Sequence, residues 1–133
     1  MSENLDLVRS IFAGWERGDF TAAQWADPDI EFVLAGGVDD GTWTGPVGMA
    51  EGFRQYVSAW EELHALAEEY RELDDERVLV LVRMSGRGRA SGVEMSRAYA
   101  GGGALFHLRS GIVLRLVLYA TRDRALADLD LKE

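Results

Sequence analysis

The chain has 133 residues, enough for one real hydrophobic core, and its 47% hydrophobic and 28% charged content is that of an ordinary globular protein. Zero cysteines exclude disulfides, thiolate metal sites and a cysteine nucleophile, and a net charge of −9 excludes sequence-independent binding to nucleic acid, which needs a phosphate-neutralising surface. No apolar run approaches a membrane span, and the acidic start Met1-Ser2-Glu3-Asn4-Leu5-Asp6 is no secretory signal, so the expectation is a single cytoplasmic domain over 1–133 with no membrane partner.

From the N-terminus, Leu5, Val8, Ile11, Phe12 and Trp15 share one helical face within Asn4 to Arg17. Asn4 is placed as the N-cap, Asp6 favours the helix dipole in the first turn, and Gly18 ends the helix. Thr21 to Trp25 predicts a second, short helix that Pro28 stops. Ile30-Glu31-Phe32-Val33-Leu34 predicts a strand, and the Gly- and Asp-rich stretch from Ala35 to Gly45 predicts a loop carrying Trp43. Pro46 opens a third helix at its first position, with Val47, Ala50, Phe53, Val57 and Trp60 as its apolar stripe.

Strands are expected at about 64–73, 77–90, 93–108 and 112–121, joined by turns at Asp74-Asp75, Ser91-Gly92 and Arg109-Ser110-Gly111. Gly101-Gly102-Gly103 predicts a bulge, a bend or a close backbone approach, and Arg124 to Leu129 a closing helical turn. Helices first and a long sheet afterwards give an α+β domain, its helices packed on one side of a largely antiparallel sheet.

Charge is unevenly spread. Residues 1–76 hold 18 acids against 4 arginines, and residues 77–133 hold 10 basic groups against 5 acids. Sheet arginines are therefore expected to face carboxylates on neighbouring strands, such as Glu68, Glu69 and Glu72; an anion-binding patch on the sheet is the alternative. Arg87-Gly88-Arg89 lacks the interleaved aromatic residues of an RNA site.

A helix followed by Gly18-Asp19, the run Asp27-Pro28-Asp29-Ile30-Glu31-Phe32, Gly45-Pro46 before a helix, and the ending Gly111-Ile112-Val113-Leu114-Arg115-Leu116-Val117-Leu118-Tyr119 make up a layout over Leu5 to Leu131. This layout resembles the SnoaL-like branch of the nuclear transport factor 2-like superfamily. The resemblance implies a cystatin-like, cone-shaped α+β barrel: a curved, mostly antiparallel sheet wrapped around about three N-terminal helices, with a mostly apolar cavity. It also implies a homodimer joined through the sheet. The superfamily spans ketosteroid isomerases, polyketide cyclases, limonene epoxide hydrolases, dehydratases and non-catalytic binding proteins, so fold alone does not choose the function. A ketosteroid isomerase needs a tyrosine on the first helix, a carboxylate base ending the first strand and a protonated acid on a later strand. The layout puts these on Ile11, on Val33 or Leu34, and near Ala104, none of which can exchange a proton.

The residues expected around the cavity are Ile11, Trp15, Phe32, Trp43, Phe53, Tyr56, Trp60 and Phe106, suited to a small hydrophobic molecule. Trp43, on its loop, is the natural lid. Proton handlers are His107, if its strand face points inward, and Asp39 or Asp40 near the mouth, where burial beside a like charge would raise a carboxyl pKa. Glu94 is a further carboxylate, more readily an arginine's partner. With two histidines, His64 and His107, and no cysteine, no metal is expected, and neither a phosphate-binding Gly-rich loop nor a G-x-S-x-G elbow is present, so no cofactor is expected. Three functions follow: binding of a small hydrophobic molecule, acid–base turnover (cyclisation, isomerisation, dehydration or epoxide opening) of such a molecule, or a dimeric protein-interaction module.

Overall fold

The computed structural model describes residues 3–17, 24–35, 41–58, 60–88, 102–119 and 121–129, without the side chains of 56–58, 60–65 and 84–88. In chain order its elements are α1 (Glu3–Glu16), β1 (Ala26–Ala35), β2 (Gly41–Thr44), α2 (Gly45–Ser58), β3 (Trp60–Glu72), β4 (Arg77–Gly88), β5 (Gly102–Arg109), β6 (Ile112–Tyr119) and α3 (Arg122–Asp128). The strands form one six-stranded sheet in the order β2-β1-β6-β5-β4-β3. β1 runs parallel to β6, and every other neighbouring pair is antiparallel. The expected α+β class and helix-bearing sheet are present. The expected turn at Ser91-Gly92 and the residues Thr21 to Ala23 of the expected short helix lie outside the described residues.

Successive residues of a strand face opposite sides of a sheet, and here both sides are buried. On the inner face, Val78, Val80 and Val82 of β4 join Ala104, Phe106 and Leu108 of β5, with Ile30, Phe32 and Leu34 of β1, under α1 and α2. Helix α1 supplies Val8, Ile11, Phe12 and Trp15, the stripe its 3.6-residue period predicts. On the outer face, Leu79, Leu81, Leu105, Val117 and Tyr119 pack beneath Ala125 and Leu126 of α3. The closing helical turn is thus a capped helix with a core of its own. Thr121, extended at φ −132°, accepts a hydrogen bond from the backbone N–H of Arg124 at 3.2 Å.

Gly103 explains how α3 comes so close. A Cβ on Gly103 would lie 2.9 Å from the Cβ of Ala125, so one member of the glycine triplet provides the close approach expected of it.

Several local expectations change. Asn4 lies within α1 and does not cap it; its side-chain Nδ2 donates to the carbonyl of Asp75 at 2.7 Å, tying the helix to the β3–β4 turn. Strand β1 begins at Ala26 and runs through Pro28, because a register shift between Ala26 and Glu31 frees that stretch from regular pairing with β6. Trp25, expected in a short helix, sits in the turn ahead of β1, and its carbonyl accepts from Val113 N at 2.8 Å. Helix α2 buries Met49, Gly52 and Phe53, whereas Val47 is 85% exposed and Ala50 also faces solvent. A stripe read from large residues alone misses glycines that count as buried positions.

The arginines of the sheet do meet carboxylates. Arg83 and Arg122 share Glu68, Arg71 pairs with Glu69, Arg115 with Glu31 at 2.7 Å, and Arg109 with Glu76 at 2.9 Å. These pairs are largely exposed, so each contributes ~0–1 kcal/mol; their effect is to keep the sheet's charges balanced.

Two turns give direct tests. Ser110 (φ 53°) and Gly111 (φ 78°) both take left-handed backbone, the geometry of a two-residue turn that favours Asn-Gly. Ser110→Asn is expected to stabilise the protein by about 0.5 kcal/mol in urea unfolding, since asparagine tolerates that conformation better than serine. In the β3–β4 turn, the Asp74 carboxylate accepts from Glu76 N and from Arg77 Nε, each at 2.8 Å. The Glu76 N–H, then Arg77, hold the Asp74 carboxyl below the ordinary carboxylate range. A depressed folded pKa contributes stability above the unfolded pKa and loses it as pH falls through the folded one. Asp74→Ala should therefore lower the urea midpoint at pH 7, with the gap to the parent protein closing as the buffer is taken below the usual carboxylate pKa.

Candidate functional site

The inner face is built from rings that the elements bring together from five places in the sequence. Helix α1 carries Phe12 and Trp15 three residues apart, hence on the same side, with ring centroids 4.7 Å apart. Trp15 stacks on Phe106 of β5 at 5.8 Å and 28°, and meets Phe53 of α2 edge-on at 5.4 Å. Phe53 stacks on Phe32 of β1 at 4.6 Å and 26°, and Phe32 touches Trp43 of β2 at 5.9 Å. Trp25 extends the row beyond Trp15, and Tyr70 of β3 extends it beyond Phe12. Each such pair adds ~0.5–1.5 kcal/mol beyond the area it buries, so the row joins both long helices to the sheet.

Trp43 does not ride on a loop. It lies in edge strand β2, opposite Phe32 in the β1–β2 register. Its indole sits against α2 because Gly48 and Gly52 offer no side chain there. A Cβ on Gly52 would fall 2.9 Å from ring carbons of both Phe32 and Trp43, and one on Gly48 would fall 3.4 Å from the Trp43 Cβ. In the structure Trp43 is a half-buried residue of an edge strand, seated on a helix, which corrects the expectation that a loop carries it.

Polar chemistry on this face is sparse. No polar or charged side chain is buried among the described residues. Tyr70, half-buried, packs against this face, its ring capped by the Arg9 guanidinium at 4.9 Å. Burial, then the Glu16 carboxylate, raises its phenol pKa. Glu16 itself accepts from the backbone N–H of Ala67 at 3.2 Å, where β3 bulges between Ala67 and Glu69. No group of three acidic, histidine or cysteine side chains among the described residues is placed to hold a metal, and no described helix is long and apolar enough to cross a membrane.

Of the residues predicted for the site, Ile11, Trp15, Phe32, Phe53 and Phe106 are brought together and buried, with Trp43 beside them. Tyr56 lies in α2 and Trp60 opens β3, but their side chains are outside the described residues. Asp39, Asp40 and Glu94 are outside as well. His107 is elsewhere. It pairs with Arg77 and Arg115 in the register and shares the parity of Leu105, which faces outward into the core under α3. A one-residue change of register would reverse this, and the neighbours Phe106 and Leu108 are the ones that face inward. The expected inward base is therefore not supplied by His107. The positions matching the isomerase triad, Ile11, Leu34 and Ala104, do face inward, as buried apolar side chains, while Val33 packs on the outer side.

Phe12, Met49, Trp25 and Tyr70 are members of the face that the site prediction left out. Phe12 and Tyr70 carried a signal: one shares the apolar stripe of α1, and the other pairs with Val80, an inward β4 residue.

This helix-covered mixed sheet superposes on known structures. A Burkholderia pseudomallei protein of unknown function superposes over 96% of this chain and 97% of its own, with a TM-score of 0.76 and 18% identity, and is described as nuclear transport factor 2-like. The fold is that of the nuclear transport factor 2-like proteins. A hypothetical protein of ketosteroid isomerase-like fold from Catenulispora acidiphila, in complex with trimethylamine, superposes over 95% of this chain and 93% of its own, at TM-score 0.68 and 15% identity. TerC, co-crystallised with polyporic acid, does so over 96% and 98%, at TM-score 0.73 and 20% identity. No protein-family model matches the sequence, and no curated protein does.

Gly52 offers a sharp test of how this face is assembled. Helix propensity alone predicts that Gly52→Ala stabilises an interior helical position by ~1 kcal/mol. The 2.9 Å approach to Phe32 and Trp43 predicts the opposite sign, a loss of about 1–3 kcal/mol from overpacking. Urea unfolding followed by tryptophan emission distinguishes the two, with a red-shifted native spectrum expected as Trp43 lifts off the helix.

Proposed function

We propose that the inner face binds a small hydrophobic molecule, aromatic in preference, against the row Trp43, Phe32, Phe53, Trp15 and Phe106. The observation that carries this reading is the chemistry of the face: rings from both helices and from three strands converge, and no buried polar or charged side chain stands among them in the described residues. Small-molecule sites are predominantly apolar with few polar groups, and an aromatic ligand is favoured by the same ring–ring attraction that holds the row together. The trimethylamine and polyporic acid complexes of two proteins with this fold support a small-molecule role for the scaffold.

Turnover of the ligand is the second reading. It would draw on Asp39 or Asp40, since His107 shares its parity with the outer face. Proteins of this fold that are described as polyketide cyclases and as an isomerase support it, while the apolar side chains at Ile11, Leu34 and Ala104 count against ketosteroid isomerase chemistry.

Intrinsic fluorescence reports on the site directly, because three of the four tryptophans, Trp15, Trp25 and Trp43, lie in or against the row. Titration with a panel of neutral aromatic and aliphatic compounds is expected to quench or shift the emission for aromatic members. Phe53→Ala should weaken that binding about tenfold or more while costing ~3–5 kcal/mol of stability; Val47→Ala, on the exposed side of α2, should do neither. Emission that no compound perturbs would remove the proposal.

A further inference from the structure

The row of rings on the inner face is closed in its middle and open at its ends. Phe12, Trp15, Phe32, Phe53 and Phe106 are each 5% exposed or less, whereas Trp43 at one end and Tyr70 at the other are half-buried. A ligand seated on the row therefore meets water at an end, and a polar group that it carries belongs there. At the Tyr70 end, α1 and β3 bring a cation to the rings. Tyr70 meets Phe12 edge-on at 6.3 Å, and the Arg9 guanidinium lies over the Tyr70 ring at 4.9 Å. Arg9 precedes Phe12 by three residues on α1, which puts the two side chains on neighbouring positions of one helix side.

Arg9 is unlike the arginines of the sheet. Each arginine of the sheet and of α3 whose side chain is described meets a carboxylate. Arg9 is exposed and, among the described residues, forms no such ion pair, although it lies in the half of the chain that holds 18 acids against 4 arginines. Glu16 is seven residues further on, roughly 10 Å along the helix axis, where its carboxylate accepts from the Ala67 N–H. A guanidinium resting on a ring keeps its planar fork of N–H donors for an acceptor with two oxygens.

The charge of the whole chain points the other way, since −9 favours a cation. That field is diffuse and is screened over about 8 Å at physiological ionic strength. A carboxylate in the guanidinium fork is in direct contact, and contact decides.

We propose that Arg9 selects the charge of the ligand: the inner face takes an aromatic carboxylic acid in its ionised form, rings on the row and carboxylate on the Arg9 guanidinium. This rests on the reading of the inner face as a hydrophobic site and adds the head group to it.

Three probes with one ring system separate the effects: 2-naphthoate, 2-naphthamide and 2-naphthylmethylammonium, which are anionic, neutral and cationic. In calorimetric titration of the full chain, naphthoate is expected to bind at least fivefold more tightly than the amide, with the cation weakest. Raising the salt concentration should shrink that advantage and leave the amide unaffected. Arg9→Gln should bring naphthoate down to the level of the amide without changing the amide's own affinity, and Arg54→Gln, at an exposed position of α2, should leave the preference intact. Four results overturn the proposal: the amide or the cation binding as tightly as naphthoate; a preference that survives Arg9→Gln; a preference that Arg54→Gln abolishes; or an Arg9→Gln protein that loses the amide as well, which would make Arg9 a support of α1. Binding of none of the three probes overturns the hydrophobic-site reading itself, a result distinct from amide binding without a preference for the acid.

Discussion

Long segments of β4 and β5 are apolar on both parities, and the rest of the architecture answers that constraint. Val78-Leu79-Val80-Leu81-Val82 has no polar side, nor has Ala104-Leu105-Phe106. A sheet built from such segments cannot leave one face in water without exposing a row of leucines, so it must be covered twice. Helices α1 and α2 cover one face and α3 the other, and the polar residues of the sheet lie outside these apolar segments, where arginines and carboxylates pair.

The two covers are made differently. The inner one is aromatic, held by rings that interlock from α1, α2, β1, β2 and β5. The outer one is aliphatic, thin and local, a single short helix on Leu79, Leu105, Val117 and Tyr119. Glycine is the device in both. Gly52 admits Phe32 and Trp43 to the inner side of α2, and Gly103 admits Ala125 to the outer side of β5. The functional reading falls on the inner face because aromatic surface brings geometry as well as hydrophobicity.

Features set by nearest neighbours in sequence were legible. The apolar period of α1, the alternation of β4 and β6, the turn at Ser110-Gly111 and the pairing of sheet arginines with Glu68 and Glu69 are all local or compositional signals. Part of the ring set was legible too, since Trp15 and Phe53 lie on helix faces that periodicity identifies. What was hidden depends on partners distant in the chain. Strand β2 is four residues flanked by glycine, with no pattern of its own, and it exists because β1 pairs with it; hence Trp43 was read as a loop residue. The buried side of α2 is marked by Gly48 and Gly52, whose role is set by Trp43 and Phe32. The direction of His107 depends on a register that alternation in a doubly buried strand cannot supply, because leucine and phenylalanine on either side look alike. The outer role of α3 was missed for the same reason: runs without polarity contrast do not say how many faces they bury.

The parallel seam between β1 and β6 has a temporal side. Glu31 and Arg115, joined across it, are 84 positions apart in sequence, and the first strand is flanked on that side by the last one to be made. During synthesis the β1–β6 seam therefore closes only after the strands between them have been made, while Phe32 can already meet Trp43 and Phe53. Closing so long a loop before any reward arrives slows assembly. Until that seam closes, β1 depends on β2 and α2 alone for shelter, which is a further task for the rings of Trp43 and Phe53.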